Sequence, residues 1–199
     1  MDGDRRIAVI GLGYVGLPLA ISLVEAGLEV EGIDASAARV AELRAGRSPV
    51  DDISDERLRA ALEAGLRVSS PDGAAIAAAD ALFVCVPTPL TTSKDPDLQP
   101  VLGAADLVRG ALRPGQLVIL QSTTFPGTTS GPFREALEAG GLAAGRDFDL
   151  AYAPERVNPG DPASHSRGVP RLVGGTTHAA TRRAAALLAN VNDEVVELT

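Results

Sequence analysis

Short apolar runs alternate with segments of helical period along nearly the whole chain. Arg6–Ile10 (RIAVI) is such a run, followed by a glycine turn and a helical segment ending near Gly27. Leu28–Ile33 is a second run, and Ser36 is placed to cap a helix to about Ala45. Ser54–Gly65 carries acids in its first turn and Leu58, Leu62 and Leu66 along one face, so it predicts another helix. Leu66–Ser69 predicts a short strand, Gly73–Ala79 a short helix, and Ala81–Val86 (ALFVCV) a buried strand stopped by Pro87 and Pro89. A helix over Val101–Leu112, a strand over Gln116–Leu120, a helix over Gly131–Ala139 and a strand over Phe148–Tyr152 continue the alternation. A polar Pro/Gly segment, Pro154–Pro170, precedes a strand at Arg171–Val173, a helix over Ala179–Asn190 and a last strand near Val195–Leu198.

Strands apolar on both faces and separated by helices predict an α/β fold, a doubly wound and mostly parallel sheet with helices on both faces. Composition agrees with a folded domain. The chain has 199 residues, of which 45% are hydrophobic and 22% charged. A chain of that length buries roughly 70% of its unfolded surface, which supplies a core without disulfides or metals.

The net charge of −8 argues against nucleic acid as a partner, because phosphate backbones reward clustered Lys and Arg. No basic amphipathic segment points to a membrane surface. The uncharged stretch from Ile7 to Val24, preceded by Arg5 and Arg6, imitates an anchor or a signal segment. Gly11, Gly13, Gly16 and Pro18 interrupt it, and a strand, a tight turn and a buried helix explain it better. Lys94 is the only lysine and Cys85 the only cysteine. One cysteine forms no internal disulfide, which suits a cytoplasmic protein, and with two histidines it leaves little material for a metal site.

Gly11-Leu12-Gly13-Tyr14-Val15-Gly16 follows a predicted strand and opens a predicted helix. In that context the first glycine permits the turn, the second lets the backbone approach a pyrophosphate, and the third lets helix and strand pack closely. The helix start, at Tyr14 and Val15, offers backbone N–H groups to the phosphates. Asp34 ends the second strand about 20 residues on, where a carboxylate accepts the adenosine ribose hydroxyls and repels a 2′-phosphate. These residues predict a Rossmann-type site for NAD, with Arg39 either against the adenine or on a solvated helix face. A bare turn with a helix-starting Asp is the competing account of the same residues.

With these motifs in hand, the chain resembles a known family. GLGYVGLP at Gly11–Pro18, VPTP at Val86–Pro89, QSTTFPGTT at Gln121–Thr129 and APERVNPGD at Ala153–Asp161 occur in this order in UDP-glucose/GDP-mannose dehydrogenases. The resemblance extends over residues 1–199 but corresponds to the family's N-terminal, NAD-binding domain. It implies that Pro87 and Thr88 meet the cofactor and that Thr123 touches cofactor or a reacting water. Glu155 would then assist proton transfer and place water during thioester hydrolysis. Arg156 and Val157 match positions that contact the nucleotide sugar, and PERVNPGD with GVPRLVGG is most similar to the UDP-N-acetylhexosamine 6-dehydrogenases.

Bland accounts stand beside these. Thr88 between two prolines can simply shape a turn, Gly127, Thr128 and Thr129 can cap a helix rather than face an anion, and Glu155 can pair with Arg156 at the surface. Cys85 is expected to be core packing. The family's reaction oxidises a sugar C6 alcohol to a carboxylate with two NAD, through a thioester on a cysteine aided by a lysine and an asparagine. Neither Cys85 nor Lys94 matches those positions. The resemblance therefore implies a UDP-sugar 6-dehydrogenase represented by its NAD-binding domain. The central dimerisation helix and the UDP-sugar domain, with which family members form homo-oligomers, would be absent and full turnover missing. A non-catalytic dinucleotide-binding or interaction module is the alternative, and a hydroxyacid-type dehydrogenase is a third possibility that APERVNPGD opposes.

Overall fold

A computed structural model describes residues 4–90, 96–155 and 169–198. Its eight strands are β1 Arg6–Ile10, β2 Glu29–Ile33, β3 Arg67–Ser69, β4 Ala81–Val84, β5 Leu117–Leu120, β6 Asp149–Tyr152, β7 Arg171–Gly175 and β8 Val195–Leu198. They form one sheet in the order β3-β2-β1-β4-β5-β6-β7-β8. The first six run parallel, β7 runs antiparallel to β6, and β8 is parallel to β7. This is the doubly wound, mostly parallel Rossmann-type sheet the sequence predicts.

Side chains alternate between the two faces of each strand and so feed two cores. Ile7, Val9 and Phe83 pack under α1 (Gly16–Glu25), α2 (Ala37–Arg44), α3 (Asp55–Glu63) and α7 (His178–Leu188). Ala8, Ile10, Leu82 and Val84 pack under α4 (Gly73–Ala78), α5 (Gln99–Arg109) and α6 (Arg134–Glu138). Because both faces are covered, the central strands carry unbroken apolar runs, which is why they were legible as runs rather than as alternations.

The cap predicted at Ser36 forms, and Ser54, Asp72 and Thr177 act in the same way, each accepting a backbone N–H from the first turn of the helix that follows. The segment expected to be a helix from Gly131 differs. A five-residue π-helical turn, Thr129–Phe133, precedes α6, and its ladder is broken at Gly131 (φ −111°, ψ −110°). Pro132 has no N–H to continue a regular ladder, which accounts for the break. Among the described residues no helix is long and apolar enough to cross a membrane. The Ile7–Val24 stretch is β1, the turn and most of the ten-residue α1.

Candidate functional site

The carboxyl ends of β1, β4, β5 and β6 lie at one edge of the sheet, and all four sequence motifs follow those ends. The strand order reverses between β1 and β4, and a crevice at such a switch point is where open α/β sheets bind ligands.

The three glycines do three jobs. Gly11 has φ +91°, donates its N–H to the Ile33 carbonyl at 2.8 Å, and passes so near β4 that a Cβ would lie 2.7 Å from the Cys85 carbonyl oxygen. At Gly16 a Cβ would fall 1.8 Å from the Gly11 carbonyl oxygen, so α1 is packed directly against the turn. At Gly13, by contrast, a Cβ would meet nothing within 4 Å. Tight packing below and open space above is the shape required for a pyrophosphate to rest on the backbone. No side chain caps the start of α1 at Val15, and Tyr14 beside it is exposed.

Asp34 is 6% exposed, and its two oxygens are spoken for by backbone. Oδ2 accepts the Leu12 N–H and Oδ1 the Ser36 N–H, both at 2.9 Å. The carboxylate thus clamps the glycine loop to the start of α2. Arg39 Nη1 lies 3.4 Å from Asp34 Oδ2 with its side chain 41% exposed. Arg39 is thereby placed beside the acid rather than on a detached solvated face. These residues fit a dinucleotide without a 2′-phosphate. When bound, NAD would lie along Gly11–Gly16 with its ribose toward Asp34.

Further along the edge, the Thr88 hydroxyl donates to the Thr123 carbonyl at 2.8 Å, joining the loop after β4 to the loop after β5. Pro87 and Thr123 are exposed on those loops. Ser122 Oγ donates to the Val86 carbonyl at 2.7 Å, a second tie between them. Thr128 turns inward, fully buried, and its hydroxyl donates to the Phe125 carbonyl rather than capping a helix. A groove of about 430 Å³ opens between this loop and the β6–β7 pair, lined by Thr124, Phe125, Gly127, Tyr152, Gly175 and Thr176.

Glu155 stands just past β6 with its side chain 15% exposed, ion-paired through Oε2 to Arg171 Nη2. Arg171 also donates from Nη1 to the Pro154 carbonyl at 3.2 Å. The structure therefore gives Glu155 a buried arginine partner that the sequence reading did not identify. Arg156 and Val157, with most of APERVNPGD, lie outside the described residues, as do Lys94 and His165. Cys85, at the foot of this cluster, is buried, with its thiol facing Gln121 Oε1 at 3.5 Å. Burial pushes that thiol well above its ordinary range, the Glu155 charge adds to the shift, and Arg171 opposes it. A thiol in that state is not a nucleophile. Gln121 is fully buried too, and its Nε2 finds no acceptor among the described residues.

Residues 5–192 match the model of the NAD-binding domain of the UDP-glucose/GDP-mannose dehydrogenase family. The UDP-N-acetyl-D-glucosamine 6-dehydrogenase of Pseudomonas aeruginosa is 35% identical over 175 residues, covering 87% of this chain and 40% of that protein. The UDP-N-acetyl-D-mannosamine dehydrogenase of Pyrococcus horikoshii is 35% identical over 180 residues, covering 90% of this chain and 43% of that protein. The crystal structure of NDP-N-acetyl-D-galactosaminuronic acid dehydrogenase from Methanosarcina mazei superposes with a TM-score of 0.90 at 33% identity. It covers 100% of this chain and 45% of its own. The chain thus spans less than half the length of the relatives it matches.

Proposed function

The chain belongs to the UDP-glucose/GDP-mannose dehydrogenase family and carries its NAD-binding domain, and from that premise we propose that it serves the oxidation of a UDP-sugar. The overall change is a C6 alcohol taken to the carboxylate by two NAD⁺ and one water, releasing two NADH and three protons. The observation that carries this reading is the convergence of the glycine loop, Asp34, the Thr88–Thr123 pair and Glu155 on one sheet edge. The names of the relatives favour an N-acetylated hexosamine as the sugar.

Bound NAD supplies the hydride acceptor, and this chain's residues do the rest of the work at its end of the cleft. Gly11–Gly16 and the start of α1 hold the pyrophosphate, and Asp34 with Arg39 holds the adenosine ribose. The loops carrying Pro87, Thr88 and Thr123 close over the nicotinamide end. Thr123 offers a hydroxyl to cofactor or water, and Glu155 places the attacking water and assists transfer of its proton. Arg156 and Val157 would meet the sugar nucleotide.

A thioester step needs a nucleophilic thiol, and the one cysteine here, Cys85, is buried with its thiol held protonated. As a separate polypeptide of residues 1–199, the chain therefore binds NAD but completes no net four-electron oxidation of a UDP-sugar. Calorimetric titration tests the first half, and absence of binding at millimolar NAD would sink it. Steady NADH absorbance at 340 nm with UDP-N-acetylglucosamine or UDP-N-acetylmannosamine would sink the second.

A further inference from the structure

The reversal of strand direction at β7 has a chemical product. In a parallel strand it is the last residues that reach the carboxyl edge, as Ala153–Glu155 do after β6. In β7, antiparallel to β6, it is the first residue. The register pairs Ala151 with Gly175 and Tyr152 with Gly174. Three residues beyond Tyr152 is Glu155, and three before Gly174 is Arg171, so the same register sets the two side chains level across the pair. Both are largely withdrawn from solvent, with side-chain exposures of 10% for Arg171 and 15% for Glu155.

Arg171 grips this segment at two points. One Nη meets the Glu155 carboxylate, and the other meets the Pro154 carbonyl at 3.2 Å, using the fork of the guanidinium to fix side chain and backbone together. From the opposite side the Glu155 N–H reaches the Gln121 carbonyl at 3.4 Å. The Glu155 backbone is thus tied toward the end of β5 while its carboxylate is held by Arg171 of β7. A carboxylate on a loop without such supports would sample several rotamers, and a proton-transfer group displaced by an ångström loses much of its rate.

We propose that Arg171 is a positioning residue for Glu155, holding its carboxylate in one placement at the sugar end of the cleft. The inference rests on the reading of Glu155 as the proton-transfer group. Lysine at this position would keep the charge and lose one arm of the fork. Methionine would keep most of the volume and lose both.

The test uses residues 1–199 with ¹³C-labelled glutamate carboxyls, the Glu155 resonance being identified by its loss in Glu155→Gln. In the parent chain a single narrow Glu155 signal is expected. Arg171→Met should displace and broaden it, and Arg171→Lys should restore its position while leaving it broader. NAD affinity, set by the glycine loop and Asp34, should change less than about threefold in both. A Glu155 signal in a folded Arg171→Met chain as narrow and in the same place as in the parent overturns the proposal. If Arg171→Met does not fold, Arg171→Lys decides alone, and an unbroadened signal there overturns it. Adding NAD with UDP-N-acetylglucosamine to the parent tests the underlying reading separately. If Glu155 does not respond to these ligands yet does respond to Arg171→Met, the catalytic reading fails and the positioning role stands.

Discussion

Gly16 lies so close beneath Gly11 that a Cβ on the former would sit 1.8 Å from the carbonyl oxygen of the latter. Three residues before Gly16, Gly13 has nothing within 4 Å of where its Cβ would be. One motif therefore contains a glycine required by the fold and a glycine whose Cβ position the fold leaves open. Gly16→Ala should destabilise the chain by several kcal/mol, because backbone must move to admit a methyl group. Gly13→Ala should leave the melting temperature within about 2 °C of the parent, and lower NAD affinity at least about tenfold by filling the phosphate approach. Thermal melts and calorimetry on the two variants separate these effects, and equal losses of stability would contradict the division of labour.

Asp34 ties the glycine loop to the start of α2, and on the proposed function it also selects the cofactor. Its oxygens accept the Leu12 and Ser36 N–H groups in a site 6% exposed, so Asp34→Ala leaves both donors short of their acceptor. A loss of about 1–3 kcal/mol in urea unfolding is expected. NAD binding should weaken. The preference for NAD over NADP should narrow, since the repelling carboxylate is gone while Arg39 remains beside the site. Titration with both dinucleotides reads the ratio, and an unchanged ratio would remove Asp34 from cofactor selection.

Cys85 should be chemically silent in the folded chain. It is buried, and its thiol is pushed upward chiefly by burial, with Glu155 adding to the effect. Reaction with a disulfide reagent at pH 8 should wait on unfolding and accelerate by orders of magnitude in denaturant. Cys85→Ala should retain NAD binding within about threefold, at a modest cost in stability from the lost packing volume. Fast labelling of the native chain would show that the β4 end opens.

Much of this was legible in the sequence, and the reasons are specific. The sheet's first six strands are unbroken apolar runs because helices cover both faces, and Ser36, Ser54 and Asp72 announce their helices by capping chemistry. The glycine loop and Asp34 are local signals whose spacing suffices. Arg171 and Gln121 were not legible, since their roles exist only once β7 is known to run antiparallel beside β6. An arginine opening the otherwise apolar RLVGG strand was the available hint, because a buried guanidinium demands an acceptor. The π-helical turn at Thr129–Phe133 was missed for a similar reason. Pro132, which cannot donate to a regular ladder, was the available hint there.

The far edge of the sheet carries the pH dependence. Asp80 opens β4, where its Oδ2 accepts the backbone N–H of Arg6 at 3.0 Å and of Arg5 at 3.2 Å, with Arg6 Nη2 3.4 Å from Oδ1. Burial raises its pKa, but the Arg6 and Arg5 N–H groups and the Arg6 charge outweigh that and hold it below the usual carboxylate value. A group with a lowered folded pKa stabilises fully above its unfolded value, and that contribution is lost as pH falls through the folded value. Asp80→Asn should therefore lower stability by about 1 kcal/mol near neutral pH, or about 2–4 °C in melting temperature for a chain of this size. The difference should shrink below about pH 4 and vanish once the parent carboxylate is itself protonated. Melting curves of both chains from pH 3 to 8 check this, and a gap that stays constant across the range would mean that Asp80 contributes shape rather than charge.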